Sequence, residues 1–402
     1  MFTTISIYIL LTLIIFWSYC GYLILLLVIS TLYSQGNNDS PPLAPHPNLP
    51  KMVVFVPCYN EENHIKAKIE NLERLSYEQD NLKVVFLNGT STDSTSKIIS
   101  ALISDNPNWR LIETGCSGKI NQINHGLSHA VGNADIIVNT DVDALLSDDV
   151  LLKFAKTFQE DSRIALVGAN ISPKSAIPLE MFYWRDQNSL RIVESDVYTS
   201  SIVVAPCYAY KASLISEFPK DCVADDIFIA FKANTEGYLA KYLADATGQE
   251  TRVPTGLAEL FSHKFRKGNA FLIELYRFFY LLPAMTGWWK VIYLTKLLQM
   301  AVIPWVLPYF LISTLSLLLS SGGLFQLSIL VLFFLGTAFA TTSTLLRQWG
   351  RKYSPDNNPS TQRPSIMVFI ISNLILILVG LSYPFYRQTS NYRKIGGELK
   401  AP

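Results

Sequence analysis

The sequence lacks charge over two long stretches, lacks paired cysteines, and lacks an excess of either sign of charge. No charged residue and no histidine occurs from Met1 through Asn38, and no charged residue from Leu297 through Leu346. A cleaved secretory leader has a basic start and a shorter apolar region. A retained membrane helix is therefore expected over Ile5–Tyr33, which exceeds the roughly 20 apolar residues that a bilayer crossing needs. The five cysteines (Cys20, Cys58, Cys116, Cys207, Cys222) show no CxxC spacing, which argues against a zinc site or a disulfide framework. With 33 basic and 32 acidic residues the net charge is +1, so no basic field recruits nucleic acid. The uncharged spans also argue against a pure transporter.

What is present divides the chain into parts. At 50% hydrophobic and 16% charged it is too apolar for an ordinary soluble protein, and the excess lies at the two ends. Residues 1–35 read as an N-terminal transmembrane helix. Residues 36–50, with Pro41, Pro42, Pro45, Pro47 and Pro50, read as an extended linker. Residues 51–258 have the texture of an α/β domain. Strands are expected at Met52–Val56, Leu82–Leu87, Trp109–Ile112, Ala134–Val138 and Arg163–Gly168. Helices are expected at Glu61–Leu75, from about Asp93, at Lys119–Val131 and at Asp148–Phe158. Such alternation predicts a mainly parallel sheet covered on both faces. Beyond Pro173 the pattern loosens to a helix at Met181–Ser195, a strand at Ile202–Ala205, and a helix at Asp225–Glu236 ending on Gly237.

Residues 259–296 mix basic side chains with an aromatic face and carry Trp288-Trp289-Lys290, the signature of a helical segment in the membrane interface. Residues 297–386 hold three apolar spans, the first two divided at Ser320-Ser321-Gly322-Gly323. The basic tail 387–402 follows. At least four membrane helices are expected, one before the α/β domain and three after it. Basic residues favour the cytoplasmic side. A cytoplasmic α/β domain agrees with a cytoplasmic loop at Arg347–Arg363 and conflicts with the basic tail, unless Arg277–Leu298 crosses or re-enters. The expected location is an integral, multi-pass protein of the plasma (inner) membrane.

The chemistry-bearing residues gather at strand ends, where open α/β sheets place ligands. Ile136-Ile137-Val138 runs abruptly into Asp141-Val142-Asp143; two carboxylates there suit Mg²⁺ or Mn²⁺ with phosphates, although a strand end and helix cap explain the same residues. Val56-Pro57-Cys58-Tyr59-Asn60-Glu61-Glu62 ends the first strand, and its acids also suit a helix first turn. Asn88-Gly89-Thr90-Ser91-Thr92-Asp93 ends the second, as a ligand-approaching loop or a plain turn. Gly115-Cys116-Ser117-Gly118-Lys119 suits a phosphate without being a Walker A loop. Asp225-Asp226 could supply a general base or simply begin a helix. His263-Lys264-Phe265-Arg266-Lys267-Gly268 could hold a diphosphate or anionic lipid headgroups.

In their order along the chain these sites resemble the family 2 glycosyltransferases, in the membrane-embedded branch of cellulose, chitin and hyaluronan synthases and ceramide glucosyltransferases. The resemblance covers roughly residues 50–280. It rests on Val56–Glu62, on Ser117-Gly118-Lys119 with Asn124-His125-Gly126-Leu127, on Asp141-Val142-Asp143-Ala144, and on Asp225-Asp226. It implies a GT-A (Rossmann-like) cytoplasmic domain flanked by transmembrane helices, which binds a nucleotide-sugar. Carried over, Pro57, Tyr59, Glu61, Asn88, Lys119, Asp141 and Arg266 bind substrate, Asp141 and Asp143 hold Mg²⁺ or Mn²⁺, and Asp226 is the catalytic base. Two departures stand out. Asn88 replaces the family's aspartate, in a turn one residue longer. The Gln-x-x-Arg-Trp signature of processive synthases is not intact, with Lys267 in the tryptophan's place. The expected activity is inverting, metal-dependent transfer from a UDP-sugar to a growing polysaccharide. The alternatives are a single transfer to a membrane lipid, and a non-catalytic relative that binds the nucleotide-sugar, against which Asp141, Asp143 and Asp226 all stand.

Overall fold

The computed structural model of the protein describes residues 2–34, 48–175, 177–319, 323–350 and 366–387. Most of residues 36–50, most of the division at Ser320-Ser321-Gly322-Gly323, most of Arg347–Arg363 and the residues beyond Arg387 lie outside the described residues. Two compact units are present, a helical one within Met1–Asp39 and Phe261–Arg387 and a sheet unit within Ser40–Leu260.

In chain order the elements begin with α1 (Phe2–Phe16) and α2 (Tyr22–Ser34). The sheet unit follows with β1 (Met52–Cys58), α3 (Ile65–Glu73), β2 (Leu82–Asn88), α4 (Thr95–Leu102), β3 (Trp109–Glu113), α5 (Lys119–His129), β4 (Ile136–Thr140), β5 (Ala144–Leu146), α6 (Val150–Glu160), β6 (Ile164–Pro173), α7 (Pro178–Val197), β7 (Cys207–Lys211), α8 (Asp225–Thr235) and β8 (Leu239–Glu250). Then come α9 (Leu257–Arg277), α10 (Gly287–Leu297), α11 (Ile303–Leu318), α12 (Gly323–Gly350) and α13 (Ile366–Ser382).

The strands form one eight-stranded sheet in the order β3-β2-β1-β4-β7-β6-β8-β5. Its first four strands are parallel, and β1, β2 and β4 bury nearly every residue, as strands covered on both faces do. The register aligns Cys58 with Asn88 and Phe55 with Asn139, so the turns after β1, β2 and β4 leave from one sheet edge. The sheet is mainly parallel, as expected: four of its seven pairings are parallel, and only two strands are reversed. β7 runs antiparallel to both β4 and β6, and β5 antiparallel to β8. A buried apolar run specifies a strand but carries no sign of its direction. The strand expected at Ile202–Ala205 begins instead at Cys207, and β8 was not foreseen. Its Ala- and Gly-bearing sequence has weak strand propensity, and it follows directly on Gly237, whose φ of +84° ends α8.

In the helical unit, α1 and α2 join through a π-turn at Trp17–Gly21 into one helix, and α10 and α11 join through another at Leu298–Val302. The second π-turn directly precedes Pro304, whose missing N–H breaks the ordinary ladder. Thr3–Leu32, Gly287–Leu318 and Gly323–Trp349 are long and apolar enough to cross a membrane, while α13 is shorter. The boundary expected at residues 296/297 thus falls inside a helix, and Gly287–Leu298 belongs to the following span. The helix interfaces carry polar links: Tyr8 Oη with Thr314 Oγ1 at 3.0 Å, Trp17 Nε1 to Thr295 Oγ1 at 3.1 Å, and Gln299 Nε2 to the Ser18 carbonyl at 2.7 Å. These bonds join helices that lie about 280 or more positions apart in the chain.

Candidate active site

Two turns at the sheet edge are knitted together. Asn60 and Thr90 have positive φ, +51° and +63°, a conformation that asparagine adopts readily but that is strained for a β-branched threonine. The Asn60 amide oxygen accepts from the Thr92 N–H (2.8 Å), and the Asn60 N–H donates to Ser91 Oγ (2.9 Å). Asp93 accepts from the N–H groups of Glu62 and Thr95 and from the Thr95 hydroxyl. Burial alone would raise its carboxyl, but these donors hold it below its ordinary value. Pro57 lies in β1, and Tyr59, beyond its end, is 43% exposed. Asn88 is buried, and both its N–H groups are used, on Ser96 Oγ (2.7 Å) and Glu113 Oε2 (2.6 Å), while its oxygen accepts from Ser91. Its amide thus ties the end of β2 to α4, to β3 and to the following turn, at the position that the resemblance assigns to the nucleotide site.

Asp141 and Asp143 follow β4 directly. The Lys119 ammonium, on the first turn of α5, lies 2.9 Å from Asp141 Oδ1 and 3.2 Å from Asp225 Oδ2. Gly118, at φ +89°, admits the chain into that helix. Asp143 is largely buried, and burial together with the neighbouring Asp141 charge pushes its carboxyl up to about 6, against the pull of the Arg252 guanidinium. Arg252 Nε lies 3.5 Å from Asp143 Oδ2, and the same guanidinium pairs with buried Glu61. Sequence reasoning missed Arg252. It follows the unforeseen β8, and nothing in its spacing marks it.

The aspartates of α8 separate in environment. Asp225 is buried and accepts from the Tyr208 hydroxyl at 2.6 Å, which in turn accepts from Asn139 Nδ2 at 2.7 Å. Burial, then the Asp225 charge, raises the Tyr208 phenol well above its usual value. Asp226 is half-buried, and its Oδ2 accepts from the Ala205 N–H at 3.1 Å. Beneath Asp141–Asp143 lies a second residue that sequence reasoning missed, Lys68 of α3, fully buried. Its signal was present in the sequence: Ile65, Lys68, Ile69 and Leu72 share one helical stripe. Burial pushes its ammonium down to about 8, with Cys207, Asp141 and Asp143 pulling the other way.

Lys119, Asp141, Asp143, Glu61 and Asp225-Asp226 are therefore drawn together by the sheet unit. Arg266 lies on the part of α9 that belongs to the helical unit. There His263 is buried, and its ring is held neutral by burial and by the charges of Lys267, Arg266 and Lys264.

Two carboxylates without a soft ligand suit a hard divalent cation. The nearby Cys207 thiol is pushed up to about 12 by burial and stays neutral. Among the described residues no three His, Cys, Asp or Glu side chains converge as a metal centre. Asp141 and Asp143 alone would leave most of such an ion's shell to water and substrate phosphates.

Residues 53–218 match the family model for Glycosyl transferase family 2. A poly-beta-1,6-N-acetyl-D-glucosamine synthase of Staphylococcus aureus is 25% identical over 195 residues, 46% of this chain and 46% of that protein. A chondroitin synthase of Pasteurella multocida is 27% identical over 139 residues, 34% of this chain and 14% of that one. The matched region thus spans less than half the length of these curated relatives. Among solved structures, the mannosyltransferase PcManGT from Pyrobaculum calidifontis, in complex with GDP-Man and Mn²⁺, is similar at a TM-score of 0.64. That likeness covers 93% of this chain and 99% of that one at 20% identity, and it is one of fold.

Proposed function

Because the chain belongs to the family 2 glycosyltransferases and its sheet unit has the GT-A fold, we propose that it is a membrane-bound, metal-dependent, inverting glycosyltransferase. It takes a UDP-sugar and lengthens a polysaccharide, with the sheet unit in the cytoplasm. The observation that carries this reading is the junction at Lys119, which ties Asp141, the first carboxylate after β4, to Asp225, the neighbour of Asp226.

In this reading the turn at Tyr59 and the loop at Asn88–Asp93 border the nucleoside, and Lys119 meets the diphosphate. Asp141 and Asp143 would hold Mg²⁺ or Mn²⁺, which when bound neutralises charge on the leaving nucleoside diphosphate. Asp226 removes the proton from the acceptor hydroxyl. The oxygen forms its bond to the anomeric carbon as the bond to the diphosphate oxygen breaks, and one displacement inverts that carbon. The environments suit this division. The Ala205 N–H orients Asp226 while leaving it half-buried, whereas Asp225 is committed to Tyr208 and Lys119.

One observation favours a second acceptor. Lys267 occupies the place of the tryptophan that would stack against an acceptor sugar, and α9 carries a strongly amphipathic pattern, so a single transfer to a membrane lipid is the alternative. Mass spectrometry of the products from purified protein supplied with a panel of UDP- and GDP-sugars separates the two. Long polymer supports the first reading, and one sugar per lipid refutes it. Asp226→Asn should abolish transfer and leave UDP binding nearly intact; retained turnover would refute its role as base.

A further inference from the structure

We propose that Lys68 and Asn71 of α3 are positioning residues that clamp Asp141–Asp143 in a preformed, metal-competent shape. The inference deepens the function proposed above and rests on it. The Lys68 ammonium donates to Thr140 Oγ1 at 2.8 Å and to the Ala144 carbonyl at 2.6 Å, one group on each flank of Asp141–Asp143. The Thr140 hydroxyl in turn lies 3.0 Å from the Pro206 carbonyl, which also accepts the Asp141 N–H at 3.0 Å. Three residues on, the Asn71 amide donates to the Leu146 carbonyl at 2.8 Å and accepts the Leu146 N–H at 2.9 Å. Four bonds from one helix therefore fix the segment before and after its two carboxylates, and buried Val142 anchors its middle.

The identity of residue 68 is the second strand of the argument. It lies on the stripe of Ile65, Ile69 and Leu72, all buried, where an apolar side chain would complete the helix face. An ammonium buried there is strongly disfavoured by desolvation unless it is compensated. The compensation comes from the oxygens flanking the aspartate segment and from the carboxylates themselves. An apolar residue could fill the space but could not bond both flanks. Sites that bind metal and substrate need their supporting groups held to about 0.5 Å, and the clamp acts on that tolerance.

The test is equilibrium binding of UDP to the purified full chain in detergent, with Mn²⁺ and with EDTA. The quantity read is the factor by which Mn²⁺ tightens UDP. Losing a nearby positive charge would by itself raise that factor, because the carboxylates would attract the cation more strongly. The clamp requires the opposite. Lys68→Met should lower the factor about tenfold or more, the range seen when groups that orient metal ligands are removed, with UDP affinity in EDTA within about twofold. Asn71→Ala changes no charge and should lower it in the same direction, which keeps the test decisive if Lys68→Met fails to fold. An unchanged or raised factor in either folded variant overturns the clamp. A wild-type chain that binds UDP and GDP equally in Mn²⁺ and in EDTA overturns the metal reading as well, and the wild type alone reveals that case.

Discussion

Replacing Lys119 by Met removes a cation shared by two carboxylates of unequal exposure. The Asp141 side chain is 30% exposed and that of Asp225 only 7%. Unit charges about 4 Å apart attract by roughly 4 kcal/mol at an effective dielectric near 20, but solvent reduces the Asp141 half to about 1 kcal/mol or less. At Asp225 the loss leaves a buried charge without its cation, which costs about 3–5 kcal/mol. The Tyr208 hydroxyl still donates to Asp225 and offsets part of that, since a hydrogen bond to a charged group contributes about 1.5–3 kcal/mol. The expected net loss is about 3 kcal/mol, or a melting temperature lower by roughly 6–12 °C for a unit of this size. The assay is fluorescence-detected unfolding of the full chain in detergent. Combining Lys119→Met with Asp225→Asn should restore at least about half of the loss, because the stranded charge goes with its partner, whereas Asp141→Asn should restore little. A single variant melting within about 2 °C of wild type, or a double variant with Asp225→Asn no more stable than the single, would refute the assignment of Lys119 as the counter-ion of Asp225.

Three further outcomes follow from burial and packing. Asp143 is raised to about 6 in the folded state from near 4 when unfolded, so it binds its proton more tightly when folded and costs stability as pH rises from about 4 to 6. Asp143→Asn should therefore raise the melting temperature in EDTA at pH 7.5 but not at pH 4, while weakening Mn²⁺-dependent UDP binding; equal shifts at both pH values would contradict this. His263 is held neutral when folded, so its contribution is present above its unfolded value near 6.5 and is lost as pH falls below it. His263→Phe should lose less melting temperature than wild type between pH 7.5 and 5.5, and parallel curves would exclude the effect. A Cβ on Gly168 would meet Val203 Cβ and Cγ1 at 2.8 Å, so Gly168→Ala should destabilise by about 1–3 kcal/mol, read in chemical unfolding; a neutral result would mean that the 198–206 segment yields.

The residues that were legible in the sequence are those where an apolar run stops against charge. Asp141 and Asp143 end a buried strand, Lys119 follows a glycine turn, and Asp225-Asp226 opens a helix; local pattern marks each place, and their order along the chain, with the resemblance it carries, gives them a role. Arg252 and Asn88 were not legible in the same way. The partners of Arg252 lie 191 and 109 positions away in the chain, at Glu61 and Asp143, and the Asn88 N–H groups are taken by Ser96 of α4 and Glu113 of β3. Lys68 falls between: its place on an apolar stripe was visible, but only the fold reveals the oxygens it reaches. The antiparallel course of β7 was hidden because direction is set by connections, and alternation of burial is the same in either sense.

The sheet order has a consequence for the spacing of the two aspartates. β4 and β5 are separated by three other strands, yet only Asp141-Val142-Asp143 joins them in the chain. Four inter-strand steps across a flat sheet would span about 19 Å, whereas the four residue steps from Thr140 to Ala144 reach at most about 15 Å. The sheet must therefore curl until its far edge comes back toward its centre, with the aspartate segment as the tie rod that holds the curl. Lengthening or shortening that segment by one residue would change the curvature of the sheet and the distance between the carboxylates at once, so the length of this motif is constrained as tightly as its two carboxylates.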